Sequence, residues 1–209
     1  MVGRIIETLD CVGDGVEWLR ANRPEFGPVL EACPDLPLRR KKDGFETLLN
    51  AIVGQQVSVA AADAIWRRLV AAKLTGPRKI MWATDEELRA AGLSSQKVRY
   101  ARALAEARID FKGLRDAPND EVIATLTEVT GIGVWTAEIY AMFSLGRADV
   151  FAHGDLALQE AAKHMLNLDK RPTEREMRTL AEPWSPWRSV AARALWAYYR
   201  VVKQREGIR

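Results

Sequence analysis

Apolar residues recur at helical spacing along most of the chain. One such face is formed by Phe45, Leu48, Leu49, Ile52 and Val53, and further periodic segments lie near positions 61–69, 98–104, 122–129 and 156–166. This period is that of an amphipathic α-helix. No run alternates convincingly between apolar and polar residues, as a strand would. The sequence therefore predicts an all-α fold.

Capping patterns mark where several of these helices begin. Thr84 and Thr173 are each followed three positions later by a glutamate, which is the pattern of a capping box. Asn119 follows a proline, and we expect it to cap the next helix. The last helix is expected to run from about Pro186 to Lys203.

The composition favours a soluble protein that could bind nucleic acid. Of the 209 residues, 48% are hydrophobic and 28% are charged, with a net charge of +3. No apolar stretch reaches the roughly 18 residues needed to span a membrane, and the first residues do not resemble a secretory signal. We expect a cytoplasmic protein. Seven tryptophans offer flat surfaces on which a base could stack.

The cysteines and histidines are too few for most metal centres. Cys11 and Cys33 are the only cysteines, and His153 and His164 the only histidines. An iron–sulfur cluster held by four thiolates is therefore excluded, and the spacing fits no zinc pattern. We expect reduced thiols and no metal or cofactor held by side chains.

Two positions stand out as candidates for chemistry. Residues 130–133 (Thr-Gly-Ile-Gly) separate two helical segments, so that 119–145 forms a helical hairpin whose backbone N–H groups could bind phosphate. An ordinary connection between helices explains the glycines equally well. Asp155 precedes an apolar helix, where a simple capping role is the plainest explanation.

Four segments together resemble the helix-hairpin-helix DNA glycosylase superfamily, in particular its 3-methyladenine DNA glycosylase II (AlkA-type) branch. They are AIVGQQVSVAAADAIW, TGIGVWTAEIY, DVFAHGDLAL and PWSPWRSVAARALWAYY, in this order, and the resemblance spans roughly Phe45 to Lys203. It implies an all-α glycosylase unit over 1–209, in which the N-terminal helices and 110–209 pack around 45–109. We expect a compact, monomeric member that lacks the branch's extra N-terminal domain.

The resemblance also implies an activity on double-stranded DNA that contains damaged bases, and we therefore expect the protein to act at the bacterial nucleoid. A damaged nucleotide is flipped out of the duplex, and its N-glycosidic bond is hydrolysed. By its place in the motif, Asp155 would be the catalytic carboxylate that stabilises the positive charge developing on the sugar. Lyase-competent relatives hold a nucleophilic lysine where this chain has Trp135, so we expect no strand cleavage.

Further residues receive roles from the same motifs. Trp135, Trp196, Ile139 and Tyr140 would line the base pocket, where an aromatic face attracts a cationic alkylated purine. Ile139 stands where this branch often has an aromatic residue, which leaves the width of the pocket open. The residues expected to contact DNA are Gln55, Gln56, Thr130, Gly131, Ile132, Gly133 and Thr136.

Gln55 or Gln56 would fill the gap left by the flipped base, and Gln56 is the preferred candidate. Relatives suggest a monovalent cation at the hairpin carbonyls, and the sequence leaves open whether this chain binds one. The basic run Arg39-Arg40-Lys41-Lys42, and Lys97 with Arg99, could also contact phosphates.

Three alternatives remain open from the sequence. The chain could be a glycosylase for a deaminated, oxidised or mismatched base. It could be a non-catalytic helix-hairpin-helix DNA-binding protein, although such a protein has no need for Asp155 and the two pocket tryptophans. It could also be an all-α protein unrelated to DNA, whose affinity for DNA would show no dependence on salt.

Overall fold

The computed structural model describes residues 2–205, and helices dominate this part of the chain. No strand forms within it, and a single antiparallel bridge joins Ile5 to Arg147. The all-α prediction is confirmed. None of the described helices combines the length and the apolar character needed to cross a bilayer.

Residues 2–205 contain thirteen α-helices and two short 3-10 turns. The helices are α1 (Leu9–Asn22), α2 (Gly27–Ala32), α3 (Phe45–Gly54), α4 (Val59–Ala71), α5 (Pro77–Trp82), α6 (Asp85–Ala90), α7 (Ser95–Glu106), α8 (Phe111–Leu114), α9 (Asn119–Thr127), α10 (Val134–Phe143), α11 (Leu156–Met165), α12 (Glu174–Ala181) and α13 (Arg188–Arg205). The 3-10 turns are Pro24–Phe26 and Glu182–Trp184.

The chain forms two compact units. Unit 1 contains the chain up to Arg40 and again from Ala141 onward, and unit 2 runs from Lys41 to Tyr140. Helix α10 crosses the boundary between them, so its first residues belong to unit 2 and its last to unit 1.

The structure groups residues 110–140 differently from the expected lobes. They were expected to form a lobe with the chain that follows them, but they cluster within unit 2. The Arg115 side chain pairs with Asp43 at 2.6 Å, and the Tyr140 hydroxyl accepts a hydrogen bond from the Gly44 backbone N–H at 2.8 Å. These contacts attach the hairpin region to the start of unit 2.

In unit 1, α13 packs against α11, α1 and α2. Small buried residues on α13, such as Ala191 and Ala194, allow close packing of helices. At Gly15 of α1 an added Cβ would lie 2.5 Å from the Val190 side chain. Glycine is therefore required there for α1 to approach α13, and α13 in turn carries Trp196 of the candidate site.

In unit 2, α7 packs against α3, α5 and α6. The apolar face predicted for α3 is buried, with Leu48, Leu49 and Ile52 at most 1% exposed. This packing fixes the end of α3, where the turn containing Gln55 and Gln56 begins.

The predicted helix starts are confirmed at the two capping boxes and wrong at one position. Thr84 and Thr173 both form complete capping boxes. Asn119 is the first residue of α9 rather than its cap, and Pro118 occupies the cap position without a side-chain hydrogen bond. Proline has no side-chain oxygen to accept a backbone N–H, so α9 begins without a polar cap.

Candidate active site

Asp155 is the N-cap of α11 in unit 1. Its Oδ1 accepts hydrogen bonds from the backbone N–H groups of Ala157 at 2.9 Å and Leu158 at 3.0 Å. These N–H groups have no acceptor inside the helix, and a helix N-terminus stabilises a negative charge. The capping role and a catalytic role are thus compatible, because the same contacts that start α11 hold a partly exposed carboxylate in place.

Trp196 lies beside this carboxylate. Its indole N–H donates to the same Oδ1 of Asp155 at 3.2 Å, across the packed pair α11 and α13. The Trp196 ring is half-buried and lies 5.7 Å from the Phe143 ring between centroids. Three N–H groups therefore converge on one carboxylate oxygen, which fixes its orientation. The sequence predicted Trp196 as a wall of the base pocket and did not predict this hydrogen bond.

The loop that leads to Asp155 is held by polar contacts within unit 1. Asp149 forms a two-bonded ion pair with Arg188, at 2.6 and 2.9 Å. Burial opposes the ionisation of Asp149, but its hydrogen bonds and the Arg188 charge hold the pKa of this carboxyl below its ordinary value. Further along, the Gln159 amide donates to the His153 carbonyl at 2.9 Å. The chain before Asp155 is therefore held at both Asp149 and His153.

The predicted hairpin is present, since α9 and α10 are joined by a turn around residues 128–133, and this turn lies in unit 2. Gly131 has φ +97°, and an added Cβ would lie 2.3 Å from the Tyr100 ring. Gly133 is exposed, and a Cβ there would meet nothing within 4 Å. Gly131 is thus required by the protein's own packing, whereas Gly133 keeps an outer surface open.

The other hairpin residues divide by burial. Thr130 is exposed, while Ile132 and Thr136 are buried. The Ile132 N–H donates to the Val129 carbonyl at 2.9 Å, so Ile132 anchors the turn. Thr136 lies in the first turn of α10, where backbone N–H groups lack an acceptor within the helix. Its contribution to DNA binding would come from the backbone.

The turn after α3 distinguishes the two glutamines. The half-buried Gln55 donates from Nε2 to the Gly131 carbonyl at 2.9 Å, which joins this turn to the hairpin. Gln56 is exposed and has φ +56°, in the left-handed region. Gln56 is therefore the glutamine available to enter a duplex. A carbonyl oxygen has two lone pairs, so the Gly131 carbonyl can accept this hydrogen bond and still coordinate a cation. The binding of a monovalent cation at the hairpin therefore stays a prediction.

Lys97 does not have the role suggested for it. It is buried, and its Nζ donates to the Val53 carbonyl at 2.6 Å, close to the C-terminus of α3. Burial lowers the pKa of this ammonium. Lys97 thus supports the turn that carries the glutamines and is not a surface contact for phosphate, whereas Arg99 is exposed.

The pocket residues predicted on α10 have different surroundings. The Trp135 side chain is 47% exposed, Ile139 is half-buried, and Tyr140 is 2% exposed. An exposed indole is suited to stacking a base. Tyr140 instead belongs to the core of unit 2, where its hydroxyl accepts the N–H of Gly44 before α3.

The buried Tyr140 should make stability depend on high pH. Burial raises its pKa to about 12, from an ordinary value of 10.0. The unfolded chain therefore loses this proton first, and the free energy of unfolding should fall as the pH rises from 10 towards 12. We expect a loss of about 1 kcal/mol by pH 11 relative to pH 9. Urea unfolding should show that the difference in free energy of unfolding between the unaltered protein and Tyr140→Phe shrinks as the pH rises. A difference that is constant with pH would contradict a raised pKa for Tyr140.

Comparison with known proteins identifies the family that this chain matches. A family model described as HhH-GPD superfamily base excision DNA repair protein matches residues 49–186, a range that includes Gln55, the hairpin and Asp155. The chain is 33% identical over 165 residues to DNA-3-methyladenine glycosylase 1 of Schizosaccharomyces pombe. The aligned region covers 75% of this chain and 72% of that relative.

Solved structures show the same fold. The crystal structure of a DNA-3-methyladenine glycosidase from Bacillus halodurans matches with a TM-score of 0.80 and 35% identity, covering 91% of each chain. The Schizosaccharomyces pombe 3-methyladenine DNA glycosylase Mag1, in complex with abasic DNA, matches with a TM-score of 0.70 and 31% identity. That match covers 82% of this chain and 89% of that one.

Proposed function

The chain belongs to the HhH-GPD superfamily of base excision DNA repair proteins, and on that basis we propose that it is a 3-methyladenine DNA glycosylase. It hydrolyses the N-glycosidic bond of an alkylated purine that has been flipped out of duplex DNA. The relatives that match over most of the chain are named for this activity.

The observation that carries the proposal is the geometry of Asp155. Cleavage of the glycosidic bond develops positive charge on the sugar, and a fixed carboxylate stabilises that charge without having to reorganise. The two backbone N–H groups of α11 and the indole N–H of Trp196 hold Asp155 in this way. An N3- or N7-alkylated purine is already cationic and leaves readily, so the site needs little acid catalysis.

The proposed reaction stops at base removal. A lyase requires an amine nucleophile to form a Schiff base with the sugar. Trp135 has no such amine, and its exposed indole is instead a surface suited to stacking a base. The product is then an abasic site with an intact backbone.

Binding to damaged double-stranded DNA is supported by the hairpin and by one relative. That relative was solved with abasic DNA. In this chain, Gly133 leaves the surface beside the start of α10 open, and backbone N–H groups at a helix start bind phosphate. The hairpin therefore holds the duplex through its backbone, independent of base sequence.

The test is to incubate the purified protein with methylated DNA and measure the free bases released. We expect release of 3-methyladenine, with strand breaks appearing only after treatment with alkali. Strand breaks without alkali would contradict the hydrolytic mechanism. Tight DNA binding without release of any methylated base would contradict the substrate, and oxidised, deaminated and mismatched bases would then be screened.

Gln56 should support the flipped state. Replacing Gln56 with alanine leaves the gap in the duplex unfilled, and flipping costs a few kcal/mol. We expect the single-turnover rate of excision to fall about tenfold, and the fluorescence of 2-aminopurine placed opposite an abasic-site analogue to change less on binding. Gln204→Ala, at an exposed position on α13, is the matched control. Equal rates for Gln56→Ala and the control would show that Gln56 does not enter the duplex.

A further inference from the structure

Arg39, the first residue of the basic run before α3, lies against Trp196. The Cζ atom of its guanidinium is 5.5 Å from the centroid of the Trp196 ring. The same indole donates its N–H to Asp155 at 3.2 Å. The guanidinium and the candidate catalytic carboxylate therefore contact one tryptophan, all within unit 1.

The backbone on both sides of Arg39 is held in place. The fully buried Arg193 donates to the carbonyls of Pro37 at 3.2 Å and Leu38 at 2.9 Å. On the other side, Arg40 donates to the Ser144 carbonyl at 2.9 Å. Between these anchors Arg39 has φ +53°, a left-handed conformation that few non-glycine residues adopt. The fold thus imposes the position of Arg39, although its side chain is exposed to solvent.

The charged groups that shift the pKa of Arg39 and Arg193 are other arginines. Neither Arg39 nor Arg193 forms an ion pair with any acidic residue of the described chain. Partial burial of its guanidinium and the neighbouring Arg200 lower the pKa of Arg39, although the side chain keeps a solvent-exposed surface. Burial, together with Arg39 and Arg40, lowers the pKa of Arg193 to about 10. A cluster of cations without a counter-ion attracts an anion from outside the protein.

The position of the cluster indicates which anion that is. A nucleotide whose sugar faces Asp155 carries a phosphate on either side of that sugar. The planar guanidinium of arginine can donate two parallel hydrogen bonds to one phosphate. We propose that Arg39 binds a backbone phosphate next to the flipped nucleotide and so positions its sugar against Asp155, with Trp196 as the platform for both groups. This assignment rests on the proposed function.

The dependence of DNA binding on salt tests this role. Each phosphate contact contributes about 0.9 to the slope of log K against log salt concentration. For a duplex containing an abasic-site analogue, Arg39→Gln should raise Kd about tenfold and reduce the slope by about 0.9. Arg39→Lys keeps the charge and should restore the slope. Arg20→Gln removes the same charge at an exposed position on α1 and should change neither quantity. An unchanged slope for Arg39→Gln would overturn the proposal.

Modified DNA gives a test that does not depend on any variant folding well. Replacing single phosphates beside the abasic analogue with neutral methylphosphonates should weaken binding by the unaltered protein about tenfold at one or two linkages. At those linkages Arg39→Gln should lose no further affinity, because the contact is already absent. If no flanking linkage matters to the unaltered protein, or if both losses add in full, Arg39 does not bind this phosphate.

The result also separates this proposal from the proposed function. Normal release of 3-methyladenine with no effect of Arg39→Gln on the salt slope would remove only the role of Arg39. Absence of both excision and salt-dependent binding in the unaltered protein would remove the glycosylase function itself.

Discussion

Replacing Asp155 with asparagine should lower the single-turnover rate of base excision by roughly a hundredfold to a thousandfold while leaving the fold intact. The negative charge that stabilises the developing cation on the sugar is lost, and preorganised electrostatic groups commonly contribute effects of this size. The measurement is release of 3-methyladenine with protein in excess over DNA, together with Kd for a duplex containing an abasic-site analogue.

Asparagine is the informative substitution because it separates charge from structure. Its side-chain oxygen can still accept the N–H groups of Ala157 and Leu158, and asparagine is as good an N-cap as aspartate. The free energy of unfolding should therefore change by less than about 0.5 kcal/mol. Alanine at position 155 removes the cap as well and should cost about 1 kcal/mol.

The outcome of these two variants discriminates between the roles of Asp155. If Asp155→Asn excised the base at the normal rate and only Asp155→Ala was impaired, Asp155 would be a structural cap. If Asp155→Asn lost DNA binding and excision in equal measure, the carboxylate would act in binding rather than in the chemical step.

The sequence predicted the parts of this protein that depend on local patterns. The apolar face of α3 and the capping boxes at Thr84 and Thr173 are set by residues three or four positions apart, so they can be recognised without the tertiary fold. The same holds for Asp155, whose capping hydrogen bonds go to the next turn of the chain.

Contacts between distant parts of the chain could not be predicted in this way. Asp155 and Trp196 are 41 positions apart, and their hydrogen bond exists because α11 packs on α13. Lys97 was considered as a contact for phosphate, yet its Nζ donates to the Val53 carbonyl because α7 packs on α3. Arg39 was visible only as one member of a basic run, since nothing local indicates that it contacts Trp196.

Replacing the two hairpin glycines with alanine should give opposite phenotypes. Gly131→Ala should destabilise the fold by about 1–3 kcal/mol, because the new Cβ would overlap the Tyr100 ring and alanine tolerates the positive φ poorly. Gly133→Ala should leave stability within about 0.5 kcal/mol but weaken binding to every duplex about tenfold. Thermal unfolding and fluorescence anisotropy measure the two effects.

Two further variants make this comparison decisive. In the background of Tyr100→Ala, the cost of Gly131→Ala should fall, because the overlap with the ring is removed and only the backbone strain remains. Gly13→Ala, at an exposed position of α1 where a Cβ also meets nothing within 4 Å, is the control for Gly133 and should not affect binding.

The Gly133→Ala variant tests the DNA contact alone, because the new Cβ would touch no other part of the protein. The exposure of Gly133 and the empty space around it mean that no internal packing requires glycine at this position. A loss of affinity that is equal for damaged and undamaged duplexes would then place the DNA backbone within contact distance of the start of α10. Unchanged affinity would mean that the phosphates lie elsewhere, and that the hairpin is here a structural connection between α9 and α10.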